Sequence, residues 1–218
     1  WSYPETPEAL PKDEANILCH EVDRDIDQAM QNISDELKTE IAKSTEGMKG
    51  TDFNSAEVFV SKIKEKHYLS NGFIGARDSS KMYSEVCFSS KNENVADEYL
   101  VTKWGGHPEQ FNFKEMCEES VEGSKALLDT EKPADGQYPV IVDSEVLASL
   151  FNDVLSHLNS QHDYLKLPFM EAGSEFIPEF SGTPFKVDLN PNLNFAFGTH
   201  RFNLHGQPQT HLGLVEDN

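Results

Sequence analysis

An alternation of apolar and polar residues, interrupted by the dipeptide Asn71-Gly72, is the feature that most constrains how this chain can fold. Residues 56–78, AEVFVSKIKEKHYLSNGFIGARD, contain stretches in which every second side chain is apolar. A strand presents successive side chains to opposite faces of a sheet, so this pattern predicts a half-buried strand. Asn71 and Gly72 both tolerate positive φ, which is typical of a tight turn between antiparallel strands. Two further alternating segments, residues 81–89 and 98–104, complete a predicted antiparallel meander.

Helical periodicity flanks this meander on both sides. Upstream, apolar residues recur at steps of three and four between Val22 and Ile41, with acids and lysines on the other face. Downstream, helical spacing returns from Phe113 to Leu128. Such stripes predict amphipathic helices that bury one face. We therefore expect an α+β fold in which an antiparallel sheet has helices packed on one face, with a loop over residues 44–55.

A second part of the chain begins near residue 133. A linker over residues 130–137 precedes YPVIV, a predicted buried strand, and SEVLASLFNDVLSHL, a predicted helix with Ser144 as its N-cap. The remainder is rich in Gly, Pro and Asn and predicts mostly β structure. The chain has no initiator Met and stops on LGLVEDN, a predicted strand running into a turn, so we expect a piece of a longer protein. The expected organisation is an extended arm over 1–19, an α+β domain over 20–132 and a truncated β-rich domain over 133–218.

Charge and composition narrow the classes of partner. The chain has 218 residues, with 38 acidic against 18 basic side chains and a formal net charge of −20. Such a chain repels phosphate groups, which argues against direct binding to nucleic acid or anionic lipid. No apolar run approaches the ~20 residues that a transmembrane helix requires, so no membrane association is expected. The three cysteines, Cys19, Cys87 and Cys117, form no CxxC pair and predict buried thiols in a reducing cytoplasm.

Asp153 and His157 form the first candidate site. They lie four residues apart in the predicted helix and so share one face, where a divalent metal or a substrate can be held. An exposed polar pair without a function has the same spacing, and this simpler interpretation is favoured.

The other histidines give a second candidate. His200, His205 and His211 lie in one β-rich segment, and alternation can bring such residues to one face, with His157 or His162 as a further ligand. Their spacing matches no zinc pattern. Surface or hydrogen-bonded histidines are therefore favoured.

Three aromatic residues of the same segment are candidates for a peptide groove. They are Phe195, Phe197 and Phe202. Core packing of alternating aromatic side chains is the favoured interpretation.

Four short motifs follow one another in a characteristic order. They are a turn at Ser70-Asn71-Gly72, a Gly-x-x-Pro-Val strand with Gly136, Pro139 and Val140, a restart at Gly173-Ser174, and the element Phe202-Asn203-Leu204-His205-Gly206. Over roughly residues 20–218 this series resembles the TldD/PmbA family, also called TldD/TldE and known as modulators of DNA gyrase. The ordered series carries the resemblance, and family members are longer at both ends.

The resemblance implies a metallopeptidase fold whose zinc motif is degenerate here. TldD-type members carry His-Glu-x-x-x-His on the helix after the Pro-Val strand, where the two His bind zinc and the Glu activates water. The matching positions of this chain are Asn152, Asp153 and His157, and Asn203 and His205 stand where the last motif has acids. The resemblance thus implies a TldE/PmbA-like subunit with no catalytic residue, cofactor or metal of its own, while its partner carries zinc.

Such a subunit would act in the cytoplasm with a TldD-like or identical partner, as a hetero- or homodimer that processes unfolded or leader peptides. Two other functions stay open. One is an active zinc metallopeptidase with atypical ligands or with ligands in missing parts of the chain. The other is a regulatory module that binds a protein such as a topoisomerase or a toxin.

Overall fold

The structure, a computed structural model, describes residues 16–18, 26–158, 160–167, 171, 173–191, 193, 195–196, 199–200 and 202–216. Cys19, Phe197 and most of the predicted N-terminal arm lie outside these residues. The chain forms two compact units. The first comprises Trp1–Glu131 with Asn190–His211, and the second comprises Lys132–Leu189 with Leu212–Asn218.

A sheet centred on one long strand organises the first unit. Its strands are β1 (Asn16–Leu18), β2 (Thr51–Tyr68), β3 (Ile74–Lys91) and β4 (Ala96–Gly105). β3 pairs antiparallel with β2 along its whole length and with β4 over its second half. The short β1 runs parallel to β3. The predicted meander is therefore confirmed.

The predicted turn at Asn71-Gly72 joins β2 to β3. Gly72 has φ 90°, and its N–H donates to the Leu69 carbonyl at 3.0 Å. The Asn71 Oδ1 accepts from the Phe73 N–H at 3.0 Å, which closes the turn from within. Only glycine adopts such a φ without strain, so this dipeptide sets the register of the two strands.

Two helices cover one face of the sheet. They are α1 (Ile26–Thr45) and α2 (Phe113–Leu127), the latter preceded by a 3₁₀ turn at Pro108–Gln110. Their apolar stripes meet the inward side chains of the sheet in one core, which contains Ile33, Leu37, Met82, Val86, Phe88, Val101, Phe111, Phe113, Met116, Cys117 and Val121. The α+β prediction, with helices packed on one face of an antiparallel sheet, is confirmed.

The loop expected over residues 44–55 is shorter than predicted. α1 continues to Thr45 and β2 already begins at Thr51. The strand is extended because the Thr51 and Ser90 hydroxyls share a buried hydrogen bond of 2.9 Å, and the Lys91 N–H donates to the Gly50 carbonyl at 2.7 Å. These contacts are non-local, so the alternation pattern did not indicate them.

The second unit contains short elements. They are α3 (Ser144–Ser156), α4 (Ser160–Tyr164), β5 (Val187–Leu189) and β6 (Leu212–Val215), and the two strands pair antiparallel as a small sheet. The side chains of four phenylalanines pack edge to face or stacked, with ring centroids 5.4–6.0 Å apart: Phe151, Phe176, Phe180 and Phe185. These rings supply the principal aromatic cluster of the unit's described residues.

Two local predictions in the second unit were wrong. Tyr138 to Val142 is not a strand: none of the described strands pairs with it, and Ile141 is fully exposed (100%). Apolar residues form a strand only when a neighbouring strand accepts their hydrogen bonds. The N-cap of α3 is Asp143 rather than Ser144, because the Asp143 carboxylate accepts from the N–H groups of Glu145 and Val146 at 2.9 and 2.8 Å.

None of the helices among the described residues is both long enough and apolar enough to cross a bilayer.

Candidate functional site

The end of α3 holds the positions that match the zinc motif. Asn152 and Asp153 are exposed in its last turn, and His157 is the C-cap residue with φ −81° and ψ −11°. The His157 N–H donates to the Val154 carbonyl at 3.1 Å, so the helix ends in a tight turn. Asn152 and His157 are five residues apart, which is the spacing of the two His in the motif. Asp153 and His157, four apart, share a face as predicted.

His162 lies beside His157. Their rings stack with centroids 4.6 Å apart and an interplanar angle of 25°. The His162 Nδ1 lies 2.9 Å from the Ser156 carbonyl, which can only accept, so Nδ1 carries the hydrogen. In the neutral tautomer the lone pair is then on Nε2, an orientation that metal-binding histidines often have.

The sequence did not predict this histidine pair. The sequence pairs His157 with Asp153 and offers His157 or His162 as an addition to the downstream histidines, but it does not pair the two with each other. The contact forms because α3 stops at Ser156 and the chain folds back into α4. Within the described residues, no group of three or more His, Cys, Asp or Glu side chains is arranged to hold a metal ion.

The downstream histidines lie in the segment that returns to the first unit. His205 and His211 are exposed and His200 is partly buried. His205 occupies a turn, in which its N–H donates to the Asn203 Oδ1 at 2.9 Å. This bond uses the backbone of His205, so any residue other than proline can make it.

Two of the sequence motifs meet in the first unit. Phe73, which follows the Asn71-Gly72 turn, packs against Phe202 with centroids 5.1 Å apart. Gly206 lies directly on the Phe73 ring, where a Cβ would come within 2.5 Å of Cγ, and its φ is 76°. The His67 and Phe202 rings are nearly perpendicular, with centroids 5.3 Å apart. The buried His67 Nε2 has no hydrogen-bond partner among the described residues. Glycine is therefore required at 206 for both space and backbone conformation.

Asn203, which stands where the motif has an acid, closes the same turn. Its Oδ1 accepts from the Gln207 N–H at 3.0 Å, and its Nδ2 donates to the Gln207 Oε1 at 2.8 Å. A carboxylate at 203 would keep a bond to this side chain only if the Gln207 amide turned over to donate its Nε2–H. The amide at 203 thus has a structural role here.

Of the aromatic candidates, Phe202 lies in the core and Phe195 is partly exposed. Phe202 is buried at 4% exposure, so the core interpretation of this residue is confirmed. Phe195 is partly buried and its ring lies 4.8 Å from that of His107. Gly106 makes room for this segment, since a Cβ there would lie 2.9 Å from the Phe195 carbonyl. Phe202 is therefore too buried to line an open groove, and Phe195 exposes only part of its ring.

The buried cysteines behave as predicted. Cys87 and Cys117 are free thiols at 4% and 0% exposure. Desolvation by burial raises the pKa of both thiols, and that of Cys117 to about 11. Neither is a reactive nucleophile at neutral pH, because the thiolate is the reacting form.

Comparison with known proteins identifies a shared fold. No family model matches the chain, and no curated protein matches it. A crystal structure from Bacteroides thetaiotaomicron VPI-5482, described as a "putative modulator of DNA gyrase", is similar with a TM-score of 0.67 and 16% sequence identity. The match covers 95% of this chain and 51% of that one, so this chain spans about half of its length. The chain therefore shares its fold with a protein described as a "putative modulator of DNA gyrase". The order of the motifs in this chain implied the same description.

Proposed function

We propose that this protein is a TldE/PmbA-like, non-catalytic subunit of a peptide-processing complex whose TldD-like partner carries the zinc. The end of α3 carries the proposal. Asn152 offers an amide where the motif has a zinc-binding imidazole. Asp153 has a shorter side chain than the motif's Glu. These residues supply one imidazole of the motif, which is too few ligands for a catalytic zinc site.

The open edge of the sheet supports a role in holding an extended peptide. β4 pairs with β3 on one side, and none of the described strands lies on its other side. Backbone groups along such an edge can bind a peptide as an added strand, with little demand on side chains. A groove of about 640 Å³ runs beside β4 and is lined in part by Tyr99, Glu115, Glu118, Glu119 and Glu122. Its carboxylates suit a peptide with basic residues.

A reconstitution experiment tests the subunit role. The full-length protein is purified alone and together with a TldD-like protein, and zinc content and cleavage of an unfolded peptide are measured. We expect cleavage only from the pair, with zinc in the partner. Stoichiometric zinc in this protein alone that Asp153→Ala or His157→Ala abolishes would overturn the proposal. Asp135→Ala, an exposed carboxylate outside α3, is the matched control.

The histidine pair supports a second candidate, an active metallopeptidase with atypical ligands. His157 and His162 stack, and the hydrogen bond from the His162 Nδ1 to the Ser156 carbonyl places the lone pair of the neutral ring on Nε2. In this case His162→Ala would remove both zinc and peptide cleavage from the protein purified alone. Retention of activity in that variant would exclude this pair as ligands.

The third candidate is a regulator of another protein. It rests on the description of the structural neighbour as a "putative modulator of DNA gyrase". A net charge of −20 suits a basic protein partner and disfavours direct binding to DNA. Supercoiling by gyrase, measured with and without the purified protein, distinguishes this role from the subunit role.

A further inference from the structure

The face of the sheet opposite the helices carries a row of aromatic side chains. Phe59, Tyr83 and Trp104 are direct neighbours in register on β2, β3 and β4. The Phe59 and Tyr83 ring centroids are 6.1 Å apart, and those of Tyr83 and Trp104 are 4.3 Å apart. Phe59 is 57% and Trp104 56% exposed. Large aromatic side chains in register and open to solvent mark an interaction surface more often than a solvated one.

The next row on the same face is acidic. Glu57 on β2 stands directly opposite Glu85 on β3, and Thr102 on β4 completes the row. No basic residue therefore stands in this row. Like charges directly opposite each other destabilise a sheet, so a cation placed between them relieves a cost that is built into the strand pair. The Tyr83 hydroxyl donates to the Glu85 Oε2 and links the acidic row to the aromatic one.

The sign of the charged residues on this face changes along the direction of the strands. Lys81, opposite Ser61, lies on the other side of the aromatic row from Glu57 and Glu85. Beyond the acidic row, Glu98 adds a further carboxylate on β4. Along the strands, a docked chain thus meets carboxylates on one side of the aromatic row and the Lys81 ammonium group on the other.

We propose that this aromatic–acidic face docks an extended segment of another protein that presents an arginine. The guanidinium group stacks on aromatic rings, and its planar fork binds carboxylates in pairs, so the Tyr83–Trp104 rings and the Glu57–Glu85 carboxylates match two properties of one side chain. Aliphatic side chains beside the arginine cover the exposed Phe59. The net charge of −20 attracts such a segment over long distance. This inference concerns a different surface from α3 and does not rest on the proposed function.

A peptide titration tests the docking. The probe is a short peptide of alternating valine and arginine, with blocked ends, and its matched control has citrulline, which is neutral and of the same shape. The chain has two tryptophans, so a Trp1→Phe background makes Trp104 the single fluorescent reporter. We expect the arginine peptide to change Trp104 fluorescence and to bind about tenfold more tightly than the citrulline peptide, as for a charge-assisted bidentate contact.

Paired variants separate a specific site from general attraction. Glu57→Gln with Glu85→Gln removes two charges from the proposed face, and Glu36→Gln with Glu46→Gln removes two exposed charges from α1 and the turn after it. The first pair should weaken binding about tenfold and the second about twofold at most, because exposed charges remote from the contact act only through screened attraction. Trp104→Ala, read by calorimetry, should weaken binding further than Trp104→Phe.

Four outcomes would overturn the proposal. They are equal weakening by the two glutamine pairs, equal binding of the citrulline peptide, no measurable binding of the arginine peptide, and self-association that Trp104→Ala abolishes without any peptide. The last would assign the face to a second copy of this chain. Circular dichroism confirms that each variant is folded.

Discussion

The two compact units of this protein differ in how much apolar surface they bury. In the first, two helices and a sheet enclose a continuous core in which Val86, Phe88 and Cys117 are 4% exposed or less. In the second, Val215 is the buried apolar residue of the described part, while Val140 and Leu150 are 77% and 56% exposed. Burial of apolar area is the dominant stabilising term in folding. The first unit therefore has its own source of stability, and the second has much less.

This contrast predicts unequal local stability. Amides whose hydrogen bonds break only when a large core unfolds exchange slowly with solvent. Amides in elements with few buried contacts exchange quickly. The strands β2 and β3 should therefore be the most protected segments and α3 among the less protected. Hydrogen exchange across the described residues measures this order directly.

The largest expected effect is in the core of the first unit. Phe88 is fully buried and meets Phe53 edge to face at 5.7 Å. Phe88→Ala should lower the free energy of unfolding by about 3–5 kcal/mol, since it removes a ring and leaves a cavity. Urea denaturation measures the loss. Phe151→Ala, in the aromatic cluster of the second unit, is the comparison, and an equal loss there would contradict the contrast between the units.

The next effect is a pH dependence centred on Cys117. Burial, reinforced by the charges of Glu40 and Glu118 and opposed by a hydrogen bond from Ser44, raises the pKa of this thiol from 9.0 to about 11. The folded state therefore holds the proton more tightly than the unfolded state. The contribution of this thiol to the free energy of unfolding is fully present below pH 9. It is lost as the pH rises through 11, by about 2–3 kcal/mol in total.

Denaturation of the parent and of Cys117→Ala at pH 7.5 and at pH 11 measures this contribution. The other titrating groups are common to both chains, so the difference between the two pH dependences reports the thiol. The assignment fails if the variant loses as much stability between these pH values as the parent.

A smaller effect is expected where α2 touches the sheet. The Ser120 hydroxyl accepts from the Phe88 N–H at 2.8 Å and donates to the Tyr99 carbonyl at 2.5 Å, so it bridges β3 and β4. Ser120→Ala should cost about 1–3 kcal/mol because two backbone groups lose their partner. Thermal or urea denaturation measures it, with the exposed Ser149→Ala as control. A loss no greater than in that control would show that the strands close up without the hydroxyl.

The smallest effect lies at the start of α3 in the second unit. Asp143→Ala removes the N-cap and should destabilise the helix by about 1 kcal/mol. Hydrogen exchange of the α3 amides should accelerate about fivefold. Ser144→Ala, at the neighbouring position that the sequence favoured, should leave exchange unchanged. The reverse result would return the cap to Ser144.

The parts of the fold that the sequence predicted are those encoded by local periodicity. Alternation and the Asn71-Gly72 turn define β2, β3 and β4, and spacing of three and four defines α1 and α2. The strand expected over 138–142 failed because a strand also needs a partner, which local pattern does not reveal. Asp143 and Ser144 are comparable N-cap residues, so sequence alone had no means to choose between them.

The candidate site was predicted only in its local part. The shared face of Asp153 and His157 follows from helical spacing. The stacking of His162 on His157 depends on where α3 ends, and element ends are the least predictable feature of a sequence. The packing of Gly206 on Phe73 joins residues more than a hundred positions apart, which no short pattern encodes.

The return of residues Asn190–His211 to the first unit has a consequence for synthesis on the ribosome. Gly75 lies against the rings of both Phe73 and Phe202, so this part of the sheet is complete only when Phe202 is present. Translation delivers Phe73 and Gly75 long before Phe202 and Gly206. The growing chain must therefore expose Phe73 to solvent while the whole of Lys132–Leu189 is made, an interval in which a molecular chaperone has a defined apolar target.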